Sequence, residues 1–177
     1  MKACVISLNL SKGLVIKSHL EEKSIPFKYF YDFNDSKLSV YPETTQGIHD
    51  YIDSIYEGND VFIEFPMAFE YQYMYQKDND TKFVYVNIDK VQWIEAMNSL
   101  KAYPFESAPY PFEEYFCKKY LNTDVAEIAN LTNEDLSEIY DAHVLAVDTF
   151  FANNSNCIKI DIDNPLFFEI FDEFLSI

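Results

Sequence analysis

The sequence predicts an α/β domain, a three-layer sandwich around a central, mostly parallel sheet of about five strands. Three observations carry that expectation. Short β-rich runs alternate with amphipathic helical stretches along most of the chain. The runs are nearly continuous in apolar residues, the mark of strands covered on both faces. No repeat, low-complexity tract or linker divides the 177 residues, so they are read as one domain, 1–177.

ACVISL (3–8) reads as a buried strand, followed by a helix over Val15–Lys23. FKYFY (27–31) is a second strand. Over Thr44–Tyr56, Ile48, Tyr51, Ile52, Ile55 and Tyr56 recur at helical spacing, and Gly58 is placed to end that helix. DVFIEF (60–65) is a third strand, stopped by Pro66. In AFEYQYMYQ, Phe69, Tyr71, Tyr73 and Tyr75 alternate with other residues, which is a strand period. KFVYVN (82–87) is a fourth strand, with a helix over Val91–Leu100 behind it. Pro111 suits the first turn of a short helix through Tyr120. Thr132 with Asp135 resembles a capping box opening the longest helix. One face of it carries Leu136, Ile139, Tyr140, His143, Val144, Val147, Phe150 and Phe151, and Asn153-Asn154 ends it. CIKIDI (157–162) is the fifth strand. Asn164-Pro165 opens a last helix with Leu166, Ile170, Phe171 and Phe174 inward.

Composition narrows the function. All 13 cationic side chains are lysine; against them stand 15 Asp and 15 Glu, a net charge of −17. Without arginine there is no bidentate phosphate or guanine clamp. So acidic a body repels nucleic acid and anionic membrane, and neither is expected as a partner. Three glycines leave little for glycine-rich phosphate loops, whereas 31 aromatics supply a large core. Cys4, Cys117 and Cys157 are odd in number and far apart, which suits a reducing cytoplasm. The apolar start is interrupted by Ser7 and Asn9 and reads as a strand rather than a signal peptide.

Three stretches together resemble the P-loop sulfotransferase family, enzymes that transfer a sulfuryl group from 3′-phosphoadenosine 5′-phosphosulfate (PAPS). KFVYVNIDKVQW (82–93) is similar to the family's KFILTVRDPEKW-type motif, and VFIEFP (61–66) to its "vvDfP" strand end. YDAHVLAVDTFF and CIKIDIDNPLFFEIFDEFL are similar to its C-terminal "Y-x-x-H … F … LL-x-D … L-x-x-FL" pattern. ISLNLSKGLVIKSHLEEKSIP then falls where the family carries IGLPRTGTTSLKEALEELGYP. The likeness runs in order over nearly the whole chain. It implies a P-loop NTPase/sulfotransferase-like fold, with Met67–Lys77 helical.

A phosphate loop works by aiming backbone N–H groups and a helix N-terminus at the phosphosulfate, beside a basic side chain. Without gaps, the family's Pro-Arg-Thr-Gly-Thr-Thr becomes Asn9, Leu10, Ser11, Lys12, Gly13 and Leu14, so its arginine becomes leucine. A one-residue shift recovers a Ser11-Lys12-Gly13 cluster, with Lys12 as the cation and Gly13 as the turn; a plain strand-to-helix turn is the other reading. In the 3′-phosphate site the family's arginine and serine correspond to Ile88 and Ala96. Losing charge-assisted phosphate contacts costs about 1.5–3 kcal/mol each. Asp89 and Trp93 remain and suit a helix cap and the core.

Glu64, at a central strand's carboxyl end, matches the family's acidic position before Phe-Pro and is the best candidate acid or base. Its other reading is a strand-end carboxylate or a cap for the next helix. His143 on a buried face reads as structural. Cys117 with His143 as a nucleophile pair, and Asp161 and Asp163 with Asp148 as a cation site, lack supporting spacing, and no metal is expected. AYPFESAPYPFEEYF (102–116) falls where the family has a lid over its acceptor pocket.

Residues 91–177 carry 16 acids and 4 lysines, against 14 and 9 in residues 1–90. The leading expectation is a sulfotransferase-like domain without PAPS-dependent transfer, acting as an acidic binding protein for a basic protein partner. On that reading it holds no cofactor; PAPS or a nucleotide binds only if the altered loop still takes phosphate. The competing expectation is a divergent transferase or nucleotide-binding enzyme using Lys12, Gly13 and Glu64. A third is a folded acidic protein that self-associates through exposed tyrosines.

Overall fold

The computed structural model describes residues 1–8, 10–29, 44–102, 111–121 and 128–177, with the side chains of 10–12, 100, 102 and 111–115 outside that set. The described residues form two compact units, residues 1–88 with 154–177, and residues 89–153.

The first unit is built on β1 (Ala3–Ser7), β2 (Phe27–Tyr29), β3 (Val61–Ile63), β4 (Lys82–Asn87) and β5 (Cys157–Asp161). All pairings are parallel, in the order β2-β3-β1-β4-β5. β1 lies at the centre, with Val5 opposite Ile63 on one side and Val84 on the other. Every residue of β1 and β3 is buried. That explains their unbroken apolar runs, since a parallel sheet has no wet face at its middle. Edge strand β5 instead exposes Lys159 and Asp161, charges that discourage pairing with another chain.

Four helices belong to this unit: α1 (Leu10–Glu22), α2 (Thr45–Tyr56), α3 (Met67–Lys77) and, last in the chain, α7 (Phe167–Leu175). Two of them pair through His19 of α1 and Lys23 just beyond its end, which reach Asp172 of α7 at 2.8 and 3.1 Å. In the other pair, His49 of α2 meets Glu70 of α3 at 2.9 Å, and Asp53 of α2 meets Lys77 of α3, also at 2.9 Å. Right-handed crossovers put α1 on one face of this sheet and α2 and α3 on the other, the three-layer arrangement expected.

Local chemistry fixes the helix ends. Thr44 caps α2 by accepting the Gly47 N–H at 3.1 Å. Beyond its end, Gly58 takes φ +84, a left-handed conformation that glycine adopts without steric cost. Lys2 donates to the carbonyls of Tyr56 and Asn59 there, a cation on the negative end of the helix dipole. α3 is helical over Met67–Lys77 despite its period-2 tyrosines. Phe69, Tyr71 and Met74 are buried, while the half-buried Tyr73 sends its hydroxyl to Asp53. A tyrosine has an apolar body and a polar tip, so it serves a helix on several faces.

Two expectations change. α1 starts at Leu10 rather than Val15, which puts Gly13 in its first turn. Leu166, expected inward, is exposed at the N-cap of α7, and Phe167, Phe171 and Leu175 are the buried residues of that helix.

The second unit is helical: α4 (Lys90–Ala102), α5 (Pro111–Leu121), a 3₁₀ turn at Ile128–Asn130, and α6 (Asn133–Phe150). Asp89 caps α4 by accepting the N–H groups of Val91 and Gln92 at 2.8 and 3.2 Å. Trp93 is buried against Phe116 of α5 and Tyr140 of α6. Both are the roles expected. α6 buries Leu136, Ile139, His143 and Val147, with Tyr140, Val144 and Phe150 half-buried, and it ends at Phe150, ahead of Asn153-Asn154. Residues 103–110 of the segment resembling an acceptor lid lie outside the described residues.

The Thr132 hydroxyl accepts the Asp135 N–H at 3.1 Å, and the Asp135 carboxylate accepts the Thr132 N–H at 2.7 Å, completing the capping box. Thr132→Ala is expected to cost about 1 kcal/mol. The urea midpoint checks this, and an unchanged midpoint would leave the cap without thermodynamic weight.

Candidate functional site

In parallel α/β sheets, ligands collect at the carboxyl ends of the strands. Here that edge is organised around Glu64, the residue after β3. Glu64 is buried, at 1% exposure, and its φ is +63. A left-handed conformation in a residue other than glycine costs about 1–2 kcal/mol and persists where surroundings over-determine it. They do so here. The Glu64 N–H donates to the Val5 carbonyl of β1 at 3.0 Å, and its carbonyl accepts the Ala68 N–H of α3 at 2.8 Å.

The side chain is fixed from a third element. Glu64 Oε1 accepts the Gly13 N–H at 3.0 Å. The first turn of a helix carries the positive end of its dipole, so it attracts anionic groups. The group that Gly13 meets is the protein's own Glu64 carboxyl. Contact is so close that a Cβ on Gly13 would fall 2.5 Å from Glu64 Cδ and 2.6 and 2.7 Å from the two carboxylate oxygens. Gly13 therefore serves close approach inside a helix, rather than the loop turn its sequence suggested.

Of the candidate site residues, the structure brings the loop glycine Gly13 and the candidate acid or base Glu64 together. Leu10, Ser11 and Lys12 belong to the first turn of α1, with side chains outside the described ones, and Asn9 lies outside the described residues. Ile88 is buried just beyond β4.

Sequence reasoning missed a histidine–carboxylate pair at the same edge. α2 runs back toward the start of β3, so its first turns, with His49, lie at the carboxyl end of the sheet. Glu70 is buried in the first turn of α3, where the helix kinks (φ −107, ψ 23). Glu70 Oε2 lies 2.9 Å from His49 Nε2, and the imidazole stacks on Tyr73 at 3.7 Å between centroids. A carboxylate in this position selects the imidazole tautomer, and the pair ties α2 to α3. The hint was the place of Glu70 in the first turn of the helix that follows β3.

His143 is fully buried; its Nδ1 lies 3.0 Å from the Tyr120 hydroxyl, one turn beyond Cys117, and its ring packs edge-on against Phe116. Burial, with a smaller contribution from Lys119, pushes its pKa down to about 3, so it is neutral at pH 7. Cys4, Cys117 and Cys157 are free thiols. Asp161 accepts a hydrogen bond from the Asn87 side-chain amide at 2.5 Å. Among the described residues no three His, Cys, Asp or Glu side chains gather as a metal site, and no helix is long and apolar enough to cross a membrane.

No protein-family model and no curated protein sequence matches the chain.

Proposed function

We propose that this chain is a degenerate sulfotransferase-like domain that no longer transfers sulfuryl groups and acts as an acidic binding protein for a basic protein partner. The observation that carries the reading is the Glu64 carboxylate on the Gly13 N–H. Phosphate-donor chemistry needs that N–H for an incoming anion. A phosphosulfate brought there would meet the buried Glu64 carboxyl group at contact distance, and Ile88 offers an apolar side chain where the family holds the 3′-phosphate. The residues therefore do not suit PAPS, and no transfer step is derived from them.

The binding half of the proposal rests on charge. A body of −17 attracts cations and repels nucleic acid, anionic membranes and its own copies. Residues 89–153 alone carry 12 acids against 4 lysines. On α6 the exposed Glu134, Glu138, Asp141 and Asp148 recur along one face.

Thermal unfolding with PAPS, its bisphosphate product or ATP tests the loss of donor binding. A ligand at about a hundred times its Kd stabilises by about 2.7 kcal/mol, which in a chain of this size raises Tm by about 5–10 °C. The expected shift is zero for all three. A saturable rise abolished by Lys12→Ala would instead favour the divergent enzyme.

A further inference from the structure

We propose that the cleft between α1 and the β5–α7 turn is a docking pocket for an apolar side chain carried on a cationic segment of a partner protein. The proposal rests on the acidic-binding reading above and gives it a location.

The cleft has a volume of about 340 Å³. Val15 and Ile16 of α1 form one wall, and Ile162, Pro165, Phe167 and Phe168 the other; its two polar lining residues are Asn164 and Glu169. It opens at the carboxyl end of β5, on the opposite side of the central strand from Glu64. Its surroundings are apolar beyond what a small pocket needs. Val15 is 49% exposed, and Leu14 and Leu166, each beside a lining residue in the chain, are 54% and 49% exposed. These three are half of the large exposed apolar side chains among the described residues. Scattered exposed leucines are ordinary, but a group of them around a concave apolar wall marks an interaction surface. The width of this rim favours a protein over a small ligand.

Charge selects the occupant. The turn and helix that form one wall, residues 161–174, contain Asp161, Asp163, Glu169, Asp172 and Glu173 and no lysine. Beside the cleft, Lys17 lies 3.7 Å from Glu21, and Lys23, just past α1, lies 3.1 Å from Asp172. An apolar pocket with an acidic rim suits an amphipathic segment whose leucine or aromatic anchor is flanked by lysine or arginine. A second copy of this chain would bring another −17 to the same surface, and an anionic membrane is repelled in the same way.

The test uses the full chain and a fluorescent synthetic peptide of leucine and lysine with one tryptophan, followed by anisotropy at low and at physiological salt. The wild type is expected to bind, more weakly as salt rises. Val15→Asp and Glu169→Lys each weaken binding by about tenfold or more, as expected of anchor and rim positions. Both positions are exposed, so thermal melts are expected to show both variants folded. Glu138→Lys on α6 is expected to change affinity by less than about threefold, the effect of overall charge alone. If both cleft variants bind like wild type while Glu138→Lys abolishes binding, the cleft proposal falls and the acidic-binding reading stands. If the wild type fails to bind even at low salt, both fall. Equal binding of a peptide with glutamine in place of lysine overturns the cationic occupant. A concentration-dependent dimer dissolved by Val15→Asp overturns it in favour of a second copy.

Discussion

Gly13→Ala is expected to destabilise the protein by about 1–3 kcal/mol, the cost of overpacking a buried contact. In an ordinary helix the same change stabilises by about 1 kcal/mol, because alanine is the better helix former. The sign reverses because the new methyl would lie 2.5 Å from Glu64 Cδ. The Glu64 side chain has to turn aside within packed surroundings and give up the Gly13 N–H. Glu64 is buried, and its backbone is hydrogen-bonded to β1 on one side and to α3 on the other. A double-mutant cycle isolates the contact. Glu64→Gly keeps the left-handed backbone and removes the carboxylate, so in that background Gly13→Ala is expected to be nearly neutral or slightly stabilising. Urea unfolding of the four proteins measures both terms. A neutral Gly13→Ala in the wild-type background would contradict the packing described here.

The second large effect is on pH dependence. His143 has a native pKa near 3, set first by burial, against about 6.5 in the unfolded chain. Between these values the unfolded state binds a proton that the native state refuses. Stability therefore rises with pH through this window and is lost as the pH falls from about 6.5 toward 3. At 1.36 kcal/mol for each unit, the loss reaches about 3 kcal/mol by pH 4. His143→Gln retains a hydrogen-bonding group near Tyr120 and cannot titrate. Its stability is expected to be lower at neutral pH and flatter below pH 6.5, so the two curves converge or cross as the medium is acidified. Parallel curves would mean that the imidazole is protonated in the native protein. Asp53, held down by Lys77 and Tyr73, and Asp135, held down by its Thr132 cap, lose their contributions only below about pH 4, outside most of the histidine window.

The strands were legible because burial on both faces leaves a continuous apolar run that needs no knowledge of neighbours. Helices α2 and α6 were legible for a local reason too, since their caps at Thr44 and Thr132 and their buried stripes lie within a few residues of each other. The start of α1 was not. Asn9-Leu10-Ser11-Lys12-Gly13 reads as a turn because glycine is a poor helix former, yet Gly13 is helical, close against a carboxylate 51 residues further along the chain. The exposed Leu166 has a similar origin: Asn164-Pro165 reads as the start of the last helix, and the helix begins two residues later than Pro165, at Phe167. Glu64 was legible as an acid at a strand end, but its partner was not, because the choice between capping α3 and accepting from α1 is made by tertiary contact. The His49–Glu70 pair was hidden for the same reason, depending on how α2 and α3 meet.

On the proposed reading, the missing arginine has its counterpart in the Glu64 carboxyl group held on a helix amide. The most direct measurement of that claim is the Gly13 amide resonance in a ¹H–¹⁵N spectrum of the intact chain. It is expected to move when Glu64 is changed to glutamine and to stay fixed as PAPS or its bisphosphate product is added. A saturable movement of that resonance with either ligand in the wild-type protein would show that an external anion displaces Glu64, and would contradict the account.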